Sequence, residues 1–174
     1  MVGSIFLVGP MGAGKTAVGR QLAGRLGLEF ADSDAEIVAR TGVDIAYIFE
    51  REGEAGFRAR ERSVIDELTQ RPGIVLATGG GAVLLPENRE CLAARGTVVF
   101  LDASIEQQLQ RTRRSRHRPL LVTPDPRARL EELMRVREPL YRSIAALTIR
   151  TDGRRLGTVA DEIVTALSAC SAST

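Results

Sequence analysis

The chain has 174 residues, 44% of them hydrophobic, which suffices for one domain with a core and leaves too little for two large ones. Its formal net charge is only +2, and its 24 basic residues comprise 23 arginines and a single lysine, Lys15. These counts exclude a mechanism that needs a second lysine. They also exclude a lysine-rich tail that binds nucleic acid, so we expect no nucleic-acid partner.

The chain shows no membrane or redox signature. No apolar run approaches the length of about 18 residues typical of a membrane-spanning helix, and the apolar N-terminus lacks the charged start and cleavage site of a signal peptide. We therefore expect a soluble, cytoplasmic protein with no membrane partner and one domain over residues 1–174. Cys91 and Cys170 have no metal-ligand spacing, and we expect both to be structural.

Short apolar strands alternate along the chain with longer amphipathic helices. Strands are predicted at residues 4–8, around 30–31, and at 74–77, 97–101 and 147–150. Helices are predicted up to about residue 26, over 33–40 and 44–70, after Ser104, from about residue 127, and over 156–167. This alternation predicts an α/β fold, a three-layer α/β/α sandwich around a five-stranded parallel sheet.

One segment breaks the alternation. Residues 111–126 contain five arginines within eight positions, three prolines and no acidic residue before Asp125. We predict a mobile, basic loop. Arg113, Arg114 and Arg116 are interpreted as a solvated patch in preference to extra catalytic groups, and His117 is interpreted as having no catalytic role, since neighbouring cations disfavour its charged form.

The strongest motif is a phosphate-binding loop. Residues 9–16, GPMGAGKT, fit G-x-x-x-x-G-K-[ST] and lie between a predicted strand and a predicted helix. Glycines let backbone N–H groups surround phosphate oxygens, Lys15 reaches the terminal phosphates, and the Thr16 hydroxyl can ligate Mg²⁺. We assign nucleotide binding to Gly12, Ala13, Gly14, Lys15, Thr16 and Ala17. An N-K-x-D guanine motif needs a second lysine, which argues against a GTPase switch.

Two carboxylates follow the second strand. Asp32 and Asp34 are two residues apart, so in an extended segment both side chains can face the phosphate loop. Asp32 is a candidate for holding Mg²⁺ directly or through water, and Asp34 for accepting a proton or hydrogen bond from a substrate hydroxyl. The competing interpretation is that Asp32 or Ser33 only caps the next helix. No Walker-B carboxylate follows the third strand, which shifts magnesium binding towards Asp32.

Two further features lie downstream. Residues 78–81, TGGG, follow the third strand and allow a ligand close to the backbone, although a plain turn is the alternative. Arg58 and Glu61 lie three apart on a predicted helix, so Glu61 can hold the guanidinium in place. Taken alone, Arg58 is equally well interpreted as a solvated surface residue.

Taken in order, these segments resemble the shikimate kinase family, of the nucleoside-monophosphate-kinase-like group of phosphate-loop folds. The resemblance extends from about residue 4 to about residue 167. It is carried by GPMGAGKT, DSD at 32–34, IFEREGEAGFRARE at 48–61, TGGG at 78–81, RPLL at 118–121 and REPLY at 137–141. It implies an ATP-dependent kinase, with Mg²⁺ as cofactor, that phosphorylates the 3-hydroxyl of shikimate in aromatic amino-acid biosynthesis.

The resemblance also implies roles for particular residues. Asp34 contacts the ring hydroxyls and orients or deprotonates the attacking one, Arg58 and Arg137 grip the carboxylate, and Gly80 supplies a backbone contact. The arginine-rich loop at about 111–126 is then a mobile lid, in which Arg118 closes on the ATP phosphates. Arg154 lies by the adenine, and Arg111 is a weaker suggestion for stacking on the base. The catalytic set is then Lys15, Asp34 and Arg118, with a substrate-binding region at about 33–61.

Two other functions remain open at this point. A kinase of another small acceptor, such as gluconate or a nucleoside monophosphate, could use the same two arginines for its own anion. A nucleotide-dependent regulatory module without turnover would keep the phosphate loop but has no reason to keep Asp34. Because a lid must swing, we expect a monomer acting on ATP and a small-molecule acceptor.

Overall fold

A computed structural model describes residues 3–113 and 122–171 of the chain. Its centre is a parallel sheet of five strands in the order β2-β3-β1-β4-β5. The strands are β1 Ile5–Val8, β2 Glu29–Asp32, β3 Ile74–Ala77, β4 Thr97–Asp102 and β5 Leu147–Arg150. The predicted five-stranded parallel sheet is confirmed, and each strand lies within two residues of its predicted bounds.

Seven helices cover the two faces of the sheet in the described part of the chain. They are α1 Lys15–Leu26, α2 Ser33–Thr41, α3 Ile45–Leu68, α4 Pro86–Arg95, α5 Ile105–Thr112, α6 Pro126–Ile144 and α7 Leu156–Ser171. A short 3-10 turn at Ala82–Leu84 precedes α4. None of these helices has the length and apolar character needed to cross a membrane.

The core lies in two layers because successive strand residues face opposite sides of the sheet. In β1, Phe6 and Val8 pack towards α3, α4 and α6, whereas Ile5 and Leu7 pack towards α1 and α7. All four residues of β1 are buried, as expected for a central parallel strand. The three-layer α/β/α architecture is therefore confirmed.

The sequence did not predict α4. Pro86 occupies its first turn, where proline is tolerated, but only Asn88 and Leu92 of this helix are buried. A helix that covers the sheet with so few side chains shows no clear apolar periodicity, and for that reason no element was predicted between residues 81 and 97.

Two boundaries also differ from prediction. The stretch predicted as one helix over 44–70 is interrupted at Gly53, whose φ of 70° and ψ of −178° are not helical. The segment predicted as a loop at 111–126 overlaps helices at both ends, because Arg111 lies in the last turn of α5 and α6 begins at Pro126. Residues 114–121, which carry most of that prediction, lie outside the described residues.

The order of the strands determines where a site can form. β1 lies between β3 and β4, and β2 lies beyond β3, so the segments that follow β1, β2 and β3 all emerge at one edge of the sheet. These segments are the phosphate loop, the start of α2 and the Gly79–Gly81 loop. Ligands bind at this edge in open parallel sheets.

Candidate active site

The phosphate loop connects β1 to the N-terminus of α1. Its glycines Gly9, Gly12 and Gly14 have positive φ values of 145°, 80° and 90°, a region that other residues rarely adopt. Gly14 caps α1 without any side-chain hydrogen bond, and the first turn of α1 holds no acidic residue. The loop therefore presents N–H groups and the positive end of the helix dipole to an anion.

Lys15 folds back across this loop. Its Nζ donates hydrogen bonds to the carbonyl oxygens of Gly9 at 2.7 Å and Pro10 at 2.8 Å, and the residue is buried. A compact ammonium fits between these two carbonyls, whereas a planar guanidinium is larger and of a different shape.

Thr16 and Asp32 meet beside the loop. The Thr16 hydroxyl donates to Oδ2 of Asp32 at 2.6 Å, while Oδ1 of Asp32 accepts from the backbone N–H groups of Asp34 and Ala35. Asp32 is thus the N-cap of α2, and its second oxygen faces the phosphate loop. The two interpretations of Asp32 do not exclude each other.

The donor set around Thr16 fits magnesium. Within residues 3–113 and 122–171 no group of three or more His, Cys, Asp or Glu side chains could hold a metal ion by itself. Mg²⁺ is usually bound by one or two protein oxygens, several waters and substrate phosphates. A hydroxyl and a carboxylate beside a phosphate loop suit that pattern.

Asp34 lies in the first turn of α2, against the loop that follows β3. The N–H of Gly79 donates to the Ser33 hydroxyl at 3.1 Å, which joins the two segments. A Cβ placed on Gly79 would come within 2.8 Å of Oδ1 of Asp34 and 2.7 Å of Oε1 of Glu61. Both carboxylates therefore approach the backbone closely, and a larger residue at this position would force at least one of them to shift.

Arg58 and Glu61 form a buried ion pair on α3. Nη1 of Arg58 donates to Oε2 of Glu61 at 2.7 Å, and the two residues are 8% and 0% exposed. The solvated interpretation of Arg58 is wrong, and the expected grip of Glu61 on its guanidinium is present. Burial raises the pKa of Glu61 to about 7, with Arg58 opposing the shift and Asp34 adding to it.

The guanidinium of Arg58 packs onto the backbone of Gly81, where a Cβ would lie 2.2 Å from Nη2. Arg137 approaches the same loop from α6, with Nη1 3.5 Å from the position of a Cβ on Gly80. Arg137 is 4% exposed, and burial lowers its pKa. Two buried arginines thus converge on the glycine loop.

Tyr141, one turn after Arg137 on α6, was not singled out from the sequence. Its hydroxyl donates to the Gly80 carbonyl and is hydrogen bonded to Arg137, and its ring stacks on Phe100 with centroids 5.0 Å apart. Burial raises the pKa of this hydroxyl, so it stays neutral. The signal in the sequence was the four-residue spacing of Arg137 and Tyr141, which puts both on one face of a helix.

Comparison with known proteins gives a consistent picture. The model of the family described as shikimate kinase matches residues 11–168. The chain belongs to the shikimate kinase family. A shikimate kinase from Halorhodospira halophila is 62% identical over 163 residues, which cover 94% of this chain and 92% of the relative. The family resemblance carried by the motifs is therefore confirmed.

Solved structures support the assignment of the chain to this family. Shikimate kinase from Acinetobacter baumannii in complex with shikimate superposes with a TM-score of 0.96 at 51% identity, covering 97% of this chain and 94% of that one. A gluconokinase from Sinorhizobium meliloti reaches a TM-score of 0.60 at 19% identity, with 97% and 93% covered, and shares the fold alone. As a member of the shikimate kinase family, the chain is a kinase with ATP as co-substrate.

Two further predicted residues, Arg111 and Arg154, follow β4 and β5 along the chain. Arg111 donates to the Gly12 carbonyl at 3.1 Å and lines a hollow of about 390 Å³ together with Gln107, Gln110 and Gly153. Arg154 does not line this hollow; its guanidinium pairs with Glu162 on α7. Arg118, and with it Arg114, Arg116 and His117, lies outside the described residues.

Cys91 is a partly buried free thiol on α4, and its Sγ lies 3.7 Å from Oδ1 of Asp66 on α3. The side chain of Cys170 lies outside the described residues. The structural role assigned to both stays a prediction.

Proposed function

We propose that the chain transfers the γ-phosphoryl group of MgATP to the 3-hydroxyl of shikimate, giving shikimate 3-phosphate and ADP. The observation that carries this proposal is the convergence of the buried Arg58 and Arg137 on the glycine loop, with Asp34 at the same loop and the phosphate loop behind it. Gly80 lies directly against the phosphate loop, since a Cβ on it would be 3.4 Å from the Met11 nitrogen. An acceptor held here lies next to the bound phosphates.

The two arginines define the acceptor as an anion. A guanidinium can bind a carboxylate with two parallel hydrogen bonds, a geometry that an ammonium does not offer. Because both arginines are buried, their charges are poorly screened by water and attract a ligand carboxylate strongly. The shikimate bound to the relative from Acinetobacter baumannii supports the assignment of this acceptor.

Asp34 acts on the acceptor hydroxyl. Its Oδ1 lies against Gly79 of the glycine loop, where it can orient the attacking hydroxyl and take its proton as the bond to phosphorus forms. Phosphoryl transfer has a loose transition state with charge on the equatorial oxygens, so catalysis is mostly positioning plus electrostatic stabilisation. The hydroxyl supplies the oxygen, and ADP leaves.

Lys15 and Arg118 supply positive charge to the transferred group. Lys15 is held at the loop by two carbonyls, from which it turns to the phosphates, and Arg118 is assigned to the lid by its motif. Thr16 and Asp32 would hold Mg²⁺, which when bound neutralises charge on the β- and γ-phosphates. Closure of the lid would exclude water and prevent hydrolysis of ATP.

A coupled assay of ADP release tests this function directly. Shikimate, gluconate and nucleoside monophosphates are presented in parallel, each with MgATP, and we expect turnover with shikimate alone. Absence of turnover with shikimate would refute the proposal, and turnover with gluconate or a monophosphate would favour another acceptor. We further propose that the enzyme is a cytoplasmic monomer that uses small molecules only, which sedimentation of the purified protein can check for the oligomeric state.

A further inference from the structure

Arg58 has two carboxylate partners, and they occupy different atoms of its guanidinium. Nη1 pairs with Glu61, whereas Nη2 pairs with Oε1 of Glu54 at 3.1 Å. Nε of Arg58 is buried and has no hydrogen-bond partner among the described residues. The Nη2 and Nε edge, which is suited to a two-bond contact with a carboxylate, therefore donates a single hydrogen bond, from Nη2 to Glu54.

The two partners differ in their freedom to leave. The Glu61 side chain is completely buried, whereas 49% of the Glu54 side chain is exposed. Glu54 directly follows Gly53, the residue at which the helical geometry of α3 is interrupted. It can therefore turn into water without disturbing the core, while Glu61 remains in place.

The charge of Glu54 also reaches the second arginine. Glu54 acts on Arg137 electrostatically and stabilises its charged form, opposing the repulsion between Arg137 and Arg58. Glu54 and Glu61 are the two carboxylates that pair with the Arg58 guanidinium. An incoming carboxylate would be a third partner of this guanidinium, and Glu54, whose side chain is about half exposed, is the one that can be released.

We propose that Glu54 is an internal competitor of the acceptor carboxylate: it occupies Arg58 in the empty site and is displaced when the acceptor binds. This inference rests on the proposed function for the identity of the acceptor. The acceptor gains two hydrogen bonds on the edge where Glu54 makes one, which favours the exchange. In the empty enzyme the same contact protects the arginine pair from small anions and thus lowers affinity for any carboxylate ligand.

The test compares Glu54→Gln with the unchanged enzyme by titration calorimetry, without nucleotide and therefore without turnover. Three ligands are used: shikimate, cyclohex-1-ene-1-carboxylate, which keeps the ring and carboxylate but no hydroxyl, and the uncharged primary amide of shikimate. We expect the variant to bind both carboxylates about three- to tenfold more tightly and to bind the amide unchanged. In the coupled assay the KM for shikimate falls by the same factor with kcat unchanged.

Glu52→Gln is the matched control. Glu52 lies on the same helix and pairs with Arg60 on the surface, so its replacement removes one negative charge without freeing Arg58. We expect this variant to bind all three ligands like the unchanged enzyme.

Weaker or equal binding of the carboxylates by Glu54→Gln would overturn the proposal, because Glu54 would then support Arg58 or have no part in binding. An equal gain for the amide would also overturn it, since the effect would not depend on the ligand's carboxylate. Failure of the proposed function looks different: the unchanged enzyme would then show no turnover with shikimate, while the carboxylate probe still reports on the exchange at Arg58.

Discussion

The Thr16 hydroxyl donates a 2.6 Å hydrogen bond to Oδ2 of Asp32, the oxygen that Asp32 does not use to cap α2. Because the two oxygens make different contacts, a substitution can keep the cap of α2 and remove the charge beside the phosphate loop. Asp32→Asn retains an oxygen for the cap, and Asn is as good an N-cap as Asp. It loses the charge that faces the phosphate loop.

We therefore expect Asp32→Asn to raise the Mg²⁺ concentration for half-maximal activity about tenfold or more, while the free energy of unfolding changes by less than about 1 kcal/mol. ADP release against Mg²⁺ concentration and urea unfolding measure the two effects. Asp44→Asn is the control, since Asp44 caps α3 through the Tyr47 N–H, away from the phosphate loop. An unchanged magnesium requirement would show that Asp32 is a cap and nothing more.

Asp34→Asn removes the proposed proton acceptor without changing the size of the side chain. General acid–base groups contribute about 10²- to 10⁴-fold to rate, and we expect kcat to fall within that range. Binding of ATP, measured by calorimetry in the absence of acceptor, should be unchanged because the phosphate loop is intact. A variant with near-normal kcat would remove Asp34 from the chemistry.

Glu61 should make the stability of the protein depend on pH. Its pKa is raised by burial from 4.5 to about 7 in the folded chain, so the folded state holds a proton that the unfolded chain releases at lower pH. The contribution of Glu61 to the free energy of unfolding is fully present below about pH 4.5 and is lost as pH rises through about 7. Between those values this group lowers the free energy of unfolding by up to about 1.4 kcal/mol per pH unit.

Urea unfolding at pH 5.5 and pH 8 checks the sign. Relative to Glu61→Gln, which does not titrate, the unchanged chain should lose unfolding free energy between the two pH values. The variant also loses the charge that balances Arg58, so its KM for shikimate should rise. If the difference between the two proteins were the same at both pH values, Glu61 would not titrate in this range.

Tyr141→Phe tests the link between Arg137 and Gly80. The ring and its stacking on Phe100 are kept, but the Gly80 carbonyl and the Arg137 guanidinium each lose a partner in a buried place. We expect the KM for shikimate to rise about three- to tenfold with kcat within twofold, and about 1–3 kcal/mol of stability to be lost. Tyr47→Phe, on an exposed ring, is the control. A loss of stability with an unchanged KM would limit Tyr141 to a structural role.

Lys15→Arg is nominally conservative and keeps the charge. The ammonium lies between two carbonyls less than 3 Å away in a buried loop, and a guanidinium exceeds that space. We expect activity to be nearly abolished while urea unfolding shows a folded protein. An active variant would mean that the single lysine among 23 arginines reflects composition alone.

Local patterns predicted most of the fold. Strands buried on both faces are continuous apolar runs, and Ser104 is a recognisable helix cap that accepts from the Gln107 N–H as expected. Helix α4, which was not predicted, buries too few side chains to show a helical repeat of apolar residues. The interruption of α3 at Gly53 was not predicted, because a glycine in a sequence does not reveal whether its φ will be positive.

The candidate site was predictable where a motif or a helical spacing carried the information. The pair of Arg58 and Glu61 follows from their three-residue spacing. The end of β2 predicted where Asp32 and Asp34 lie, but Asp34 is in the first turn of α2 and not in the extended segment that was assumed. The contact of Tyr141 with Gly80 joins residues 61 positions apart, and no local pattern encodes it. For Arg154 the resemblance predicted a role at the nucleotide, and that role stays a prediction. In the structure its guanidinium pairs with Glu162.

The loop after β3 has a consequence for redesign. Neither Gly79 nor Gly81 has a positive φ, so what matters at both positions is the room left to the side chains of Asp34, Glu61 and Arg58. A methyl group at either position would displace the side chains proposed to bind the acceptor. Attempts to evolve a new acceptor preference should therefore hold this loop constant and diversify the exposed start of the second half of α3, where Glu54 offers a side chain that can be exchanged without rebuilding the interior.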